Sequence, residues 1–219
     1  FVAYYCTHNI LIKLQGCQMG RHWEYGVKIC GFVLAVFFVA ATCPVPGFSS
    51  ETDGALWKSV REGSSFVLLR HAIAPGTGDP DNFALGDCST QRNLSAAGRK
   101  QALAIGDSLR ASGIPGARVF SSQWCRCLET AELLKLGPVK ELPQLNSFFQ
   151  QYQRRDSQTQ ELRTWIGSQD IEVDRPLVLV THQVNITALT GYYPASGELV
   201  IAQISADGKI VVSGSMKTD

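Results

Sequence analysis

Short apolar runs alternate along this chain with longer stretches of helical rhythm. Phe66-Val67-Leu68-Leu69 is an unbroken apolar run with turn signals on either side, and it predicts a buried strand. Pro75, Gly76, Gly78 and Pro80 then predict a loop that lasts to about Asn93. Ser95 can cap a helix in which Ala102, Ile105 and Leu109 share one face, with Gly113 as its stop. Val119–Phe120 predicts a second strand. The pair Ser121-Ser122 is expected to cap a further helix with Trp124, Leu128, Ala131 and Leu134 on its apolar face. A third strand is expected at Val139–Leu142, and a polar helix of weak rhythm from Phe148 to about Ser168. Pro176-Leu-Val-Leu-Val-Thr181 is the strongest strand signal, and it suits a central parallel strand covered on both faces. Asn185–Thr190 reads as a helix ended by Gly191. Glu198–Ser205 and Lys209–Ser213 read as a hairpin that turns at Asp207-Gly208. Strands alternating with helices predict a three-layer α/β/α domain around a mostly parallel central sheet.

The N-terminal region has a different pattern. From Met19 the chain reads MGRHWEYGVK, then ICGFVLAVFFVAA, then TCPVPGFSS. A basic start, a short apolar run and small residues have the layout of a secretory signal peptide. The run Ile29–Ala41 is shorter than the roughly 20 apolar residues that span a bilayer. Residues 1–18 are expected to lie upstream of the true start, 19–47 to be a signal peptide or an N-terminal anchor, and 50–219 to form the folded domain. An exported, periplasmic protein is expected, with an inner-membrane-anchored one as the alternative.

Composition narrows the function classes. With 219 residues, 45% hydrophobic and 18% charged, the chain can build one domain with a substantial core. A formal net charge of +1 gives no nucleic-acid-binding surface. Of seven cysteines only Cys88, Cys125 and Cys127 follow the N-terminal segment. In an oxidising compartment three thiols allow at most one internal disulfide. A bond from Cys88 to Cys125 or to Cys127 would pin the long loop to the helix that follows Ser122. As a metal site Cys-x-Cys is weak, because no further ligands sit at zinc spacing. No metal and no cofactor is expected.

Two strands end in the same way, one at Arg70-His71 and the other at Thr181-His182. In open α/β sheets ligands gather at the carboxyl ends of the strands, so both histidines can share one pocket. Arg126, in the first turn of the helix after the second strand, can reach the same edge. That helix start adds partial positive charge and N–H groups. Two arginines, two histidines and a helix start suit a phosphate group. A neutral imidazole is a competent nucleophile near neutral pH, and arginine forks can hold the equatorial oxygens of a transferring phosphoryl group.

These residues carry a resemblance. Arg70-His71-Ala72 resembles the Arg-His-Gly signature of the histidine phosphatase superfamily, the phosphoglycerate mutase-like fold. Leu94-Ser-Ala-Ala-Gly98-Arg-Lys-Gln101-Ala102, Ser121-Ser122-Gln-Trp-Cys-Arg126-Cys-Leu-Glu-Thr130-Ala131 and Leu179-Val-Thr-His182 are similar to three further motifs of that family. Each motif alone is a weak signal; the four in family order are a strong one. The resemblance implies that His71 is the phosphorylated nucleophile and that Arg70, Arg126 and His182 complete the phosphate pocket. The chain looks like the small exported bacterial phosphatases of the superfamily, acting on a small phosphorylated substrate.

The departures from the family pattern bear on mechanism. Ala72 stands where glycine is usual, and Gln183 follows the second histidine. Ser147 follows Leu145-Asn146 where mutase-type members carry a glutamate acid. Asp79, Asp81 and Asp87 in the long loop are the alternative candidates for the acid. Gln183 and Asn185 are candidates for touching substrate, Glu129 for pairing with Arg126, and Thr130 and Ala131 for packing. The rival readings are a phosphotransferase or mutase, and a phospholigand-binding module that has lost turnover.

Overall fold

The computed structural model describes residues 51–169 and 175–218. Residues 1–18 and 19–47, read above as an upstream stretch and a targeting segment, lie outside the described residues. Within the described part the elements follow in the order α1 (Glu51–Arg61), β1 (Phe66–Arg70), α2 (Ala96–Ala111), β2 (Arg118–Ser121), α3 (Cys125–Leu133), β3 (Val139–Glu141), α4 (Arg155–Gly167), β4 (Leu177–Thr181), α5 (Gln183–Thr190), β5 (Leu199–Ile204) and β6 (Ile210–Met216). The six strands form one sheet in the order β3-β2-β4-β1-β5-β6. Strands β3, β2, β4 and β1 run parallel, and the β5–β6 hairpin adds antiparallel strands at one edge.

Alternation along the strands builds the layers. Val67 and Leu69 of β1, with Val178 and Val180 of β4, face a core made by Trp57 and Val60 of α1, Ile105 and Leu109 of α2, and Ala131 of α3. Phe66 and Leu68, with Leu177 and Leu179, face the opposite core against Leu162 and Ile166 of α4 and Ile186 and Leu189 of α5. Every residue of β4 is buried, because that strand is central and covered on both faces. The fold is therefore the expected three-layer α/β/α arrangement.

Several local expectations need correction. The serine pair does not cap α3. Ser121 ends β2 in the ladder, and α3 begins only at Cys125, with Trp124 before it and no side-chain cap. Cys125, Arg126, Cys127, Thr130 and Ala131 are the buried residues of α3; Ala131 and Leu134 of the expected face are buried, while Trp124 and Leu128 are only partly so. Helix α4 starts at Arg155, seven residues after Phe148. Its only buried apolar residues are Leu162 and Ile166, which accounts for its weak rhythm. Helix α1 was not anticipated at all, although Trp57 and Val60 at i, i+3 spacing are its buried stripe.

Two glycines let helices come close to neighbouring backbone. A Cβ on Gly98 of α2 would stand 2.1 Å from the Ile73 carbonyl oxygen, and one on Gly106 would stand 2.2 Å from that of Leu134. Gly98 therefore seats the start of α2 directly against the segment that leaves His71.

Candidate active site

Strand register brings the two histidines together. Arg70 of β1 pairs with Thr181 of β4, so His71 and His182 leave the sheet side by side. Their ring centroids are 5.5 Å apart. The His71 amide donates to the Thr181 carbonyl at 3.0 Å, which ties the two strand ends together.

His71 is almost fully buried, and its Nδ1 lies 2.8 Å from the Ala72 carbonyl oxygen. A carbonyl only accepts, so Nδ1 carries the proton and Nε2 presents its lone pair. Burial, reinforced by the Arg126 charge, pulls the His71 pKa down to about 3. His71 is thus a neutral imidazole throughout the neutral range. His182 is also held neutral, its pKa pushed well below the usual value by burial and then by Arg126. Its Nε2 lies 2.8 Å from the Ser122 hydroxyl. That hydroxyl can donate or accept, so it can serve either tautomer of His182.

Arg126, in the first turn of α3, connects the two rings. Its Nε donates to His71 Nε2 at 3.3 Å, and its Nη2 stands 3.5 Å from His182 Nδ1. Its other edge forks onto Asp79, with Nη1 to Oδ1 at 2.7 Å and Nη2 to Oδ2 at 3.2 Å. Both side chains are only 3% exposed. Glu129 does not take the role expected for it. It pairs with Arg99 on the outer flank, leaving Asp79 as the counter-charge of Arg126.

The turn after His71 is held from two helices. Thr130 is more than packing: its hydroxyl donates to the Arg126 carbonyl at 2.6 Å and accepts from the Ala72 amide at 3.1 Å. Gln101 of α2 accepts from the Ile73 amide at 3.1 Å, and its Nε2 donates to the Ser196 and Thr218 carbonyls. The start of α3 is not fully open to an anion, because the Cys125 amide donates to Gln91 Oε1 at 3.0 Å.

Arg70, His71, Arg126 and His182 line one cavity of about 160 Å³. Among the other candidates, Gln183 and Asp79 also line it. Asp81 and Asp87 are exposed and do not, and Asp87 instead caps a short turn at Ser89. Asn185 is buried away from the cavity, where it donates to the Asn146 carbonyl at 2.9 Å. Ser147 lines the cavity at the position where an acid was sought.

Sequence reasoning missed Arg92. Its guanidinium lines the cavity, while its Nε donates to the Gly78 carbonyl at 2.8 Å and its Nη1 to the Ala74 carbonyl. The only signal was a second arginine close to the capping Ser95. The cysteines also resolve. Cys88 and Cys125 form a disulfide, and Cys127 is a buried free thiol. Burial pushes the Cys127 pKa up to about 12, so it stays protonated beside His182 and is no nucleophile. No cluster with metal-ligand geometry exists among the described residues.

Comparison with known proteins bears on this arrangement. Residues 66–172 match the model of the histidine phosphatase superfamily, branch 1. That segment of the chain belongs to the histidine phosphatase superfamily. No curated protein sequence matches it. Among solved structures it is similar to the protein histidine phosphatase SixA complexed with tungstate, at 15% identity over 70% of this chain and 96% of that one, TM-score 0.49. It is also similar to a mycobacterial glucosyl-3-phosphoglycerate phosphatase, at 18% identity over 67% and 92%, TM-score 0.48. A third is the phosphoserine phosphatase of Entamoeba histolytica, at 13% identity over 71% and 98%, TM-score 0.49.

Proposed function

We propose that this chain is a phosphomonoester hydrolase that works through a phosphohistidine on His71 and needs no metal. The observation that carries the reading is the charge balance of the cavity. Three arginines, Arg70, Arg92 and Arg126, and one carboxylate, Asp79, surround two neutral histidines. The resulting charge of +2 is equal and opposite to that of a phosphate monoester dianion, which carries about −2 near pH 7.

The chemistry follows from the geometry. The Ala72 carbonyl fixes the His71 tautomer and makes Nε2 the nucleophilic atom, its lone pair released when Arg126 Nε turns to the phosphoryl oxygens. Arg126 holds its Nε and Nη2 toward both histidines, where the equatorial oxygens would sit. Arg70 and Arg92 flank the same cavity. Stabilising charge on those oxygens is the larger part of catalysis in phosphoryl transfer. His182 accepts at Nδ1 from Arg126 Nη2 and faces the Ser122 hydroxyl with Nε2, so it holds that edge of the guanidinium beside the phosphoryl group. Water then hydrolyses the phosphohistidine. We place this activity in an oxidising compartment outside the cytosol, a reading supported by the Cys88–Cys125 disulfide and by the layout of residues 19–47.

The test is hydrolysis of p-nitrophenyl phosphate in excess chelator, with His71→Ala alongside. Turnover that survives chelator, disappears in His71→Ala and leaves an acid-labile, base-stable phosphoprotein on rapid quench is the expected result. Vanadate binding without turnover would favour the phospholigand-binding module, and turnover unchanged in His71→Ala would overturn the assignment of the nucleophile.

A further inference from the structure

The one carboxyl group of the cavity is not available to protonate a leaving group. It is that of Asp79, the only carboxyl group there among the described residues. Both of its oxygens are taken. Oδ1 accepts from Arg126 Nη1 at 2.7 Å and from the Arg92 amide at 3.1 Å; Oδ2 accepts from Arg126 Nη2 at 3.2 Å and from Trp124 Nε1 at 2.9 Å. Four donors on a side chain that is 3% exposed leave no place for a proton. Burial alone would raise its pKa, but the hydrogen bonds and charge of Arg126 outweigh that and hold it below the usual carboxylate value. Ser147 and Tyr193 offer only hydroxyls, and His182 is neutral. Asp79 is therefore a positioning residue. It holds the fork of Arg126 by one edge so that the other faces the histidines.

The mouth of the cavity carries a second feature. Phe149 and Tyr193 both line it, yet the two residues are 51% and 71% exposed. Large aromatic rings left in water at the rim of a cationic pocket are binding surface for a flat apolar group.

Resting on the hydrolase reading above, we propose that the substrate is an aryl phosphate, a phosphoryl group carried on a phenolic oxygen, cleaved without general-acid help. In the first step the N–P bond to His71 Nε2 forms and the bond from phosphorus to the phenolic oxygen breaks. The electron pair leaves on that oxygen, is delocalised into the ring, and takes its proton from bulk water. In the second step water attacks phosphorus, the N–P bond breaks, its electron pair returns to Nε2, and phosphate departs with both protons of that water. A phenol, with a pKa of about 10 as in tyrosine, leaves as an anion far more readily than an alkanol. Phe149 and Tyr193 would stack on the departing ring.

The experiment compares kcat/KM of the full chain on p-nitrophenyl, phenyl and cyclohexyl phosphate, with Asp79→Asn, Phe149→Ala and Tyr193→Ala alongside. Phenyl phosphate should exceed cyclohexyl phosphate by about 10²-fold or more, the size of a missing general acid's contribution. Asp79→Asn should lower kcat/KM for p-nitrophenyl and phenyl phosphate by the same factor, since it acts through Arg126. At least one of the rim variants, both at exposed positions, should raise KM for phenyl phosphate about three- to ten-fold. Cyclohexyl phosphate within ten-fold of phenyl, or an Asp79→Asn defect that grows with leaving-group pKa, would overturn the proposal, because both mark an acid at work. An unchanged KM in both rim variants would overturn the aromatic contact. No turnover of any of the three esters, with vanadate still bound, would instead overturn the hydrolase reading itself.

Discussion

Removing the Cys88–Cys125 disulfide should cost this fold both stability and phosphate affinity. The bond closes a segment of 37 residues. In the chain-entropy treatment a closed loop of that length restricts the unfolded state by about 13 cal/mol/K, or about 4 kcal/mol at 25 °C. A domain of this size shifts by about 2–4 °C per kcal/mol, so the expected fall in melting temperature is about 8–15 °C. Cys88 is exposed, so reductant can reach the bond. The same bond, with Gln91 on the Cys125 amide, ties the loop bearing Asp79 and Arg92 to the helix bearing Arg126. Loosening it should therefore weaken phosphate inhibition as well. The assay is thermal unfolding of the full chain with and without reductant, beside Cys88→Ser, together with a non-reducing digest to find the linked Cys88 and Cys125 peptides. Wild type should lose stability on reduction, and Cys88→Ser should start low and ignore reductant. A wild-type shift below about 2 °C, or separate Cys88 and Cys125 peptides, would refute the reasoning.

Other outcomes follow from the same geometry. The His71 pKa falls from about 6.5 in the unfolded chain to about 3 in the fold, so its contribution to stability is complete above pH 6.5 and is lost as pH falls toward 3. Denaturant midpoints at pH 7 and pH 5 in phosphate-free buffer should show a steeper loss for wild type than for His71→Asn; equal slopes would contradict this. Gly98→Ala should destabilise by about 1–3 kcal/mol despite alanine's better helix propensity, because the new Cβ meets the Ile73 backbone, and chemical denaturation would detect it. Arg92→Ala should weaken inhibition by inorganic phosphate about ten-fold or more, the scale of one charged hydrogen bond, and an unchanged inhibition constant would remove Arg92 from the pocket.

What the sequence revealed divides along a physical line. Arg70, His71 and His182 were legible because each follows directly on a strand whose apolar run announces it, and parallel pairing then fixes their neighbourhood. The disulfide was legible up to a choice of two partners. Cys125 and Cys127 lie about 200° apart around α3, so only one can face the loop, and the core claims Cys127. Asp79 and Arg92 were harder, because no periodicity governs an irregular loop and their placement depends on contacts far away in the chain. The Arg126 pairing was the instructive miss. Glu129 is its neighbour at helical spacing, the pairing that local rules favour. But Arg126 is turned inward and Glu129 lies on the outer flank, where it meets Arg99. A guanidinium buried this deeply needs a carboxylate buried with it, since leaving the charge alone would cost several kcal/mol. The loop offered Asp79, Asp81 and Asp87. Asp79 alone reaches Arg126, whereas Asp81 and Asp87 stay exposed. Once Asp79 is committed to that pairing it is no longer free to act as an acid, so if Arg126 clamps phosphate as proposed, the burial that holds it there would also limit which leaving groups the site can release.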